Sequence, residues 1–172
     1  MDTRQQKNKK VSSDEWYTPK WIIDALGEFD LDPCSPIDRP FDTAKVHYSK
    51  NDDGLIKVWT GRVWLNPPYS RVLLRQFVER LAAHNNGIAL LVNRTDNLLF
   101  QEVIFPSADS MLFMRHRVKF ICPDGRKSEP FFGSCLVACG KQMMMCFASV
   151  VLKGNMSNLT RSDYEYTRVI IR

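Results

Sequence analysis

Four consecutive residues carry the groups needed to bind a planar amine: Asn66, Pro67, Pro68 and Tyr69. The side-chain oxygen of Asn66 and the carbonyl oxygen of Pro67 can accept the two hydrogens of an exocyclic amine, and the Tyr69 ring can stack on its heterocycle. Because two consecutive prolines fix two backbone dihedrals and lack N–H donors, neither a strand nor a helix continues through them. We therefore expect a rigid platform here. A proline-stopped strand followed by a surface tyrosine is the alternative.

A second group of polar residues lies upstream, where short segments begin and end. Thr18-Pro19 is typical of a helix start, with threonine as the cap and proline in the first helical position. Asp32-Pro33 ends the run 29–33, which we predict to be a strand. Taken alone, each of these pairs is a common local signal, since Thr-Pro opens many helices and Asp-Pro forms many turns. A strand-end carboxylate that is simply exposed to solvent is one interpretation of Asp32.

Hydrophobic spacing predicts alternating helices and strands around these residues. Helices are predicted from Pro19, from Ser70 to about His84, and from a cap at Thr95 or Asp96 through Ile104. Strands are predicted over residues 29–33, 62–65, 88–92 and 110–114. In the second helix the residues expected to face inward are Val72, Leu73, Phe77, Val78 and Leu81. Such alternation indicates an α/β fold with a parallel sheet that is covered on both faces, in a compact Rossmann-like arrangement.

The pattern changes after Arg115. Residues 118–121, a turn at Pro123-Asp124-Gly125 and residues 134–139 are predicted to form an antiparallel ribbon that closes a mostly parallel sheet. Residues 143–152 are apolar and fit either a strand or a helix. Residues 168–171 are predicted to form a last strand.

Composition limits the classes of protein to which the chain can belong. Its 172 residues, 44% of them hydrophobic, fit one domain over residues 14–172, preceded by a disordered basic arm over residues 1–13. No apolar run approaches the ~18 residues of a membrane span, so a cytoplasmic protein is expected. The five cysteines contain no C-x-x-C pair and the three histidines have no metal-ligand spacing, which predicts reduced thiols and no metal. The net charge of +5 is compatible with a polyanionic partner but does not require one.

As an ordered set, these motifs resemble the short, phage-type DNA N6-adenine methyltransferases of the Dam superfamily. The resemblance extends over residues 14–139. The shared motifs are Asp14-Glu15-Trp16-Tyr17-Thr18-Pro19, Asp32-Pro33, Gly54-Leu55, Trp59, the tetrapeptide 66–69, Arg94-Thr95-Asp96 and Arg117-Val118-Lys119-Phe120. Larger relatives have a glycine-rich turn after Asp-Pro. This chain has Cys34-Ser35-Pro36 there, and Pro36 removes a donor and stiffens the loop.

The resemblance implies a reaction and the residues that serve it. A methyl group would pass from S-adenosylmethionine to the N6 amine of an adenine flipped out of double-stranded DNA, in the cytoplasm of a bacterial host if the chain is encoded by a phage or prophage. The tetrapeptide 66–69 would surround the adenine. The residues implied around the cofactor are Trp16, Tyr17, Thr18, Pro19, Asp32 and Pro33.

Basic and polar residues further along the chain are candidates for DNA contacts. Arg94 and Asp96 follow the strand 88–92, where they could line the base or DNA cleft; Asp96 as a helix cap is the alternative. Arg115, Arg117 and Lys119 form a local basic cluster that could contact phosphates, and a solvated ribbon edge is the alternative.

Two other functions are compatible with the sequence. An enzyme of the same mechanism could act on cytosine N4, on adenine in RNA or on a protein glutamine amide. A nucleic-acid-binding module without catalysis is the reading from a different class, and the missing glycine-rich turn motivates it. The recognition sequence, the oligomeric state and the biological role (protecting phage DNA or marking replicated DNA) do not follow from the sequence.

Overall fold

The computed structural model of the chain describes residues 16–114, 116–122, 125, 127–128, 131–143, 146–147 and 169–171. The predicted basic arm over residues 1–13 lies outside the described residues. So do Asp14, Glu15, Arg115, the predicted turn residues Pro123 and Asp124, and most of the apolar stretch after residue 143.

The described elements alternate between strand and helix through the first two thirds of the chain. The strands are β1 (Leu31–Asp32), β2 (Val46–His47), β3 (Val63–Leu65), β4 (Gly87–Val92), β5 (Ser110–Phe113), β6 (Phe120–Ile121), β7 (Lys127–Ser128), β8 (Ser134–Cys139) and β9 (Val169–Ile171). The helices are α1 (Lys20–Leu26), α2 (Arg71–His84) and α3 (Phe105–Ser107). The last of these continues a π-helical segment, Phe100–Ile104.

Seven of these strands form the main sheet, in the order β2-β1-β3-β4-β8-β5-β9. The pairs β2–β1, β1–β3 and β3–β4 are parallel. β8 is antiparallel to both of its neighbours, β4 and β5, and β9 is antiparallel to β5. Five of the seven strands therefore run in one direction. The predicted α/β fold with a mostly parallel sheet is confirmed, and β9 is the predicted last strand.

The predicted closing ribbon is wrong in one of its two strands. β6 and β7 do form a separate two-stranded antiparallel ribbon. Residues 134–139, however, form β8 in the middle of the main sheet, where Ala89 lies opposite Val137. All six β8 residues are buried, and a continuous apolar run fits a strand that is paired on both edges and covered on both faces.

Two clusters of buried side chains lie on the two faces of the sheet. Because side chains alternate along a strand, Trp64 packs into one cluster with α1, whereas Val63 and Leu65 pack into the other with α2. This arrangement confirms the expected cover on both faces. No helix in the described part of the chain is long and apolar enough to cross a membrane.

The first turn of α2 departs from the predicted burial. Phe77, Val78 and Leu81 are buried as expected, but Val72 is 67% exposed and Leu73 is 39% exposed. Leu73 lines a cavity instead of packing on the sheet. The helical period predicted that both residues face the interior, but their burial depends on whether a neighbouring element covers that turn.

Two predicted helix caps are also displaced. The ψ angle of Pro19 is 134°, which is extended, so α1 begins at Lys20 and Pro19 is its cap residue instead of its first helical residue. At the third helix, the side chain of Asn97 accepts a hydrogen bond of 3.0 Å from the Phe100 amide, so Asn97 is the cap and not Thr95 or Asp96. Both errors are of one or two residues.

Candidate active site

The candidate site lies at the carboxyl ends of two adjacent parallel strands. β1 ends at Asp32 and β3 ends one residue before Asn66, and Leu31 pairs with Val63. Side chains that follow neighbouring parallel strands meet at one edge of the sheet. A cavity of about 490 Å³ opens there, which we call the first cavity. Both predicted groups of residues contribute to its lining, so the fold brings together segments that are more than 30 positions apart in sequence.

The Asn66 side chain is held in one orientation by two acceptors. Its amide nitrogen donates to the Trp16 carbonyl at 3.0 Å and to the Thr18 hydroxyl at 3.2 Å. Because a carbonyl cannot donate, the NH₂ end must face Trp16, and the amide oxygen must face the other way. That oxygen is buried and has no hydrogen-bond partner among the described residues. A buried unpaired acceptor costs free energy, so its presence beside a cavity points to a donor that a ligand brings.

The segment that orients Asn66 is itself fixed. Tyr17 forms an isolated antiparallel bridge with Ile121, with N–O distances of 2.9 and 3.2 Å. The Trp16 ring packs edge-on against Phe120 with 6.3 Å between ring centroids. Thr18 is buried, and its hydroxyl serves Asn66 instead of capping α1. The ribbon β6–β7 therefore positions the segment that aims the Asn66 oxygen.

The Asp32 carboxylate is buried, with 3% of its surface exposed, and its two oxygens have separate partners. One accepts from the Cys34 amide at 3.2 Å, and the other accepts from the Thr43 hydroxyl at 2.5 Å. Burial raises the pKa of Asp32 to about 6, because desolvation outweighs the two hydrogen bonds and the more distant charge of Arg39. Asp32 lies at the carboxyl end of β1, as predicted, and a role for its carboxylate in ligand binding stays a prediction. The alternative of a solvated carboxylate is wrong.

Cys34 connects the two halves of the site. Its amide donates to Asp32, and its thiol donates to the Asn66 carbonyl oxygen at 3.2 Å. Burial and the neighbouring Asp32 charge raise the pKa of the Cys34 thiol, which keeps it protonated as a donor. The loop that follows β1 is thus tied directly to the backbone at the start of the tetrapeptide.

Trp16 and Tyr69 form a wall between the first cavity and a second, larger one of about 910 Å³. Tyr69 is half-buried, and burial raises the pKa of its hydroxyl above the ordinary value. A tyrosine that is neutral and flanked by space on both sides can present its ring to a planar ligand.

The second cavity is lined by aliphatic, aromatic and charged side chains. Arg71, Arg94, Asp96, Phe131 and Phe132 all contribute to it. The guanidinium of Arg94 lies over the Phe132 ring, 5.0 Å from its centroid. Cationic groups interleaved with rings are typical of surfaces that bind nucleic acid.

The predicted site residues are distributed unevenly over these cavities. All of the following line the first cavity: Trp16, Tyr17, Thr18, Asp32, Pro33, Asn66, Pro67, Pro68 and Tyr69. Pro19 is buried at the start of α1 and lines neither cavity. Arg94 and Asp96 line the second cavity, whereas the exposed residues Arg117 and Lys119 line neither. Arg115 lies outside the described residues. The roles of all these residues stay predictions.

Some residues of the site were missed in the sequence. Thr43 lies in a loop without any pattern, and only the tertiary contact with Asp32 reveals it. Phe131 and Phe132 did carry a signal, since two adjacent aromatics follow a proline and precede a glycine immediately before an apolar strand. Aromatic residues in such a loop, outside any strand, are candidates for contacts with a partner.

The chain is similar to known proteins over most of its length. The family model described as DNA N-6-adenine-methyltransferase (Dam) matches residues 5–159 of the chain. The DNA N-6-adenine-methyltransferase of Escherichia phage T1 is 34% identical over 88 residues, which cover 46% of this chain and 35% of the relative. The chain thus spans about a third of the length of that curated relative. No solved structure matches the chain. From the match over most of its length, the chain belongs to the Dam family of DNA N-6-adenine-methyltransferases.

Proposed function

We propose that this protein transfers a methyl group from S-adenosylmethionine to the N6 amine of an adenine flipped out of double-stranded DNA. The observation that carries the proposal is the buried side-chain oxygen of Asn66. It has no hydrogen-bond partner in the described structure, and it points away from Trp16, to which the amide nitrogen donates. An exocyclic amine supplies the donor that this oxygen lacks. Family membership supports the same reaction.

The residues of the first cavity fit S-adenosylmethionine. The cavity combines a buried carboxylate, Asp32, with apolar walls that include Trp16 and Phe41. The carboxylate can accept hydrogen bonds from hydroxyl groups or balance a positive charge, and the rings can cover a planar base. When bound there, the cofactor would supply a methyl group on a sulfonium, an electrophile that leaves a neutral thioether.

Asn66 would bind the N6 amine of the target adenine. Adenine N6 is a weak nucleophile because its lone pair is delocalised into the ring. A hydrogen bond accepted by the Asn66 oxygen, and a second accepted by the Pro67 carbonyl, favour a pyramidal nitrogen and stabilise its growing positive charge. The contacts with Trp16 and Thr18 hold the oxygen in place before the amine arrives, so little reorganisation is needed.

Tyr69 would hold the adenine ring. Flipping a base out of a duplex costs a few kcal/mol, and stacking on an aromatic ring returns about 1–3 kcal/mol. Because Tyr69 lines both cavities, a base stacked on it from the side of the second cavity would direct its amine toward the first. The protein would act where such DNA lies, in the cytoplasm of a bacterial host.

The test is transfer of tritium from labelled S-adenosylmethionine to unmethylated duplex DNA, followed by digestion and identification of the modified nucleoside. The parent protein is expected to yield N6-methyladenine. Asn66→Ala is expected to lose at least about 100-fold in rate, as for removal of a preorganised transition-state contact. Asn51→Ala is the matched control, because Asn51 is exposed and lines neither cavity.

Other outcomes identify the alternatives directly. Label in N4-methylcytosine, in RNA or in a glutamine side chain, with no label in N6-methyladenine, would overturn the proposed acceptor while keeping the mechanism. Absence of transfer to every acceptor, together with absence of S-adenosylmethionine binding, would leave the non-catalytic binding module as the better description.

A further inference from the structure

Two adjacent phenylalanines stand exposed beside the second cavity. Phe131 is 81% exposed and Phe132 is 43% exposed, although both are large apolar side chains. They pack on each other edge-on, with ring centroids 5.2 Å apart and an interplanar angle of 78°. An exposed aromatic pair of this kind is unfavourable in water and marks a contact surface.

The position of this pair is fixed by its neighbours. The Gly133 carbonyl accepts a hydrogen bond of 2.8 Å from the Asn93 amide, and Ser134 pairs with Val92 at the carboxyl end of β4. Arg94 covers one face of the Phe132 ring. Phe132 is therefore anchored between Arg94 and Phe131, whereas most of the Phe131 ring is exposed to solvent.

The residues around Phe131 and Phe132 indicate what kind of partner binds there. They line the same cavity as Tyr69, and so do the exposed arginines Arg71 and Arg94. Positive charge around an aromatic surface matches a polyanion whose bases can stack. It is poorly matched to a second copy of this chain, which carries a net charge of +5.

We propose that Phe131 inserts into the DNA base stack at the position that the target adenine leaves, and that Phe132, held by Arg94, positions it. The inference rests on the proposed function, since a vacated position exists only if the adenine is flipped. An apolar ring in the gap replaces the lost stacking of the neighbouring base pairs and hinders return of the adenine. Phe131 would thus act on the remaining base stack of the duplex, while Tyr69 acts on the flipped base.

The test compares methyl transfer to two duplexes that contain a site methylated by the parent protein. In one duplex the target adenine is paired with thymine, and in the other it faces an abasic position, where flipping costs less. Phe131→Ala is expected to lose about tenfold or more on the paired duplex and less than about threefold on the abasic duplex. Phe131→Trp, which keeps a stacking ring, is expected to retain transfer on both.

Ile56→Ala is the control, because Ile56 is 75% exposed and lines neither cavity. A second readout is independent of chemistry: the emission of 2-aminopurine at the target position should rise when the parent binds and rise less with Phe131→Ala. Equal losses on both duplexes, or no loss on either, would overturn the insertion while leaving the proposed function intact. If the parent protein methylates no duplex DNA at all, no such site exists, and both the insertion and the proposed function are overturned.

Discussion

The two cavities that meet at Trp16 and Tyr69 differ in how their polar groups are arranged. In the first cavity, Asp32 is buried and accepts hydrogen bonds from Cys34 and Thr43. Cys34 is half-buried, and its thiol donates to the Asn66 carbonyl. In the second, the exposed Arg94 guanidinium stacks on the partly exposed Phe132 ring. The first is built for one orientation of a ligand, and the second offers charge and rings without a fixed set of hydrogen bonds.

This difference matches the two substrates that the protein is proposed to use. A small cofactor must place one methyl group within reach of one amine, which requires groups that are held before binding. A DNA duplex is large and can be gripped through phosphates and stacked bases, which tolerate variation in sequence. A substitution in one cavity should therefore change the binding of one substrate more than the binding of the other.

Gly54→Ala should damage the first cavity most. A Cβ atom at Gly54 would lie 1.8 Å from the Pro33 carbonyl oxygen, so the loop after β1 must move. We expect S-adenosylmethionine binding, measured by calorimetry, to become undetectable. Binding to duplex DNA should weaken by less than about threefold, because the proposed contacts with DNA phosphates involve the second cavity. Gly133→Ala is the control for folding in a thermal melt, since its Cβ would meet no atom within 4 Å. Normal cofactor affinity in Gly54→Ala would refute the assignment of the first cavity.

Asp32→Asn should raise stability and lower cofactor affinity in a pH-dependent way. Because folding raises the pKa of Asp32 from 3.8 to about 6, ionisation of this group opposes folding as pH rises through that window. Above about pH 6 the cost is about 3 kcal/mol, so the variant should gain unfolding free energy relative to the parent between pH 4 and 7. Urea unfolding at several pH values measures this gain.

The same variant should lose cofactor affinity at pH 8, where the parent carboxylate is charged. Parent affinity should fall as pH drops through about 6, and the variant should show no such change. A parent whose cofactor affinity is independent of pH between 5 and 8 would mean that the Asp32 carboxylate does not contact the cofactor.

Tyr69→Ala tests the wall between the cavities. Removing the ring should reduce kcat/KM for duplex DNA by a factor that corresponds to about 1–3 kcal/mol of lost stacking. Tyr69→Phe should stay within about threefold of the parent, because the proposed role needs the ring and not the hydroxyl. Steady-state transfer assays at saturating cofactor distinguish the two variants. Equal losses in both would assign the role to the hydroxyl.

Cys34→Ala should have the smallest effect, because it removes one weak hydrogen bond to the Asn66 carbonyl. We expect kcat to fall severalfold, consistent with about 0.5–1.5 kcal/mol per hydrogen bond, with the KM for S-adenosylmethionine nearly unchanged. Cys34→Ser, which keeps a donor, should recover part of the rate. Cys122→Ala is the control, since Cys122 lines neither cavity. A change confined to the cofactor KM would show that Cys34 serves the cofactor loop alone.

Local patterns predicted most elements of the fold correctly, and the failures have one physical origin. A continuous apolar run predicted β4, and the helical spacing of apolar residues predicted the buried side of α2. β8 was misplaced because an apolar run such as 134–139 does not reveal which strands it pairs with. Val72 and Leu73 were misjudged because exposure of a helical turn depends on what lies above it.

The sequence by itself determined where the tetrapeptide 66–69 lies in the fold. Two prolines must end β3, and the order of strands and helices places Asn66 and Asp32, whose side chains can accept hydrogen bonds, at one edge of a sheet. Only the tertiary structure decided the orientation of the Asn66 amide, since its acceptors come from residues 16 and 18, far away along the chain. It also decided the burial that raises the pKa of Asp32, the link through Cys34 and the lining of one cavity by both Phe131 and Tyr69. These properties depend on distances between remote segments, which spacing along one segment does not encode.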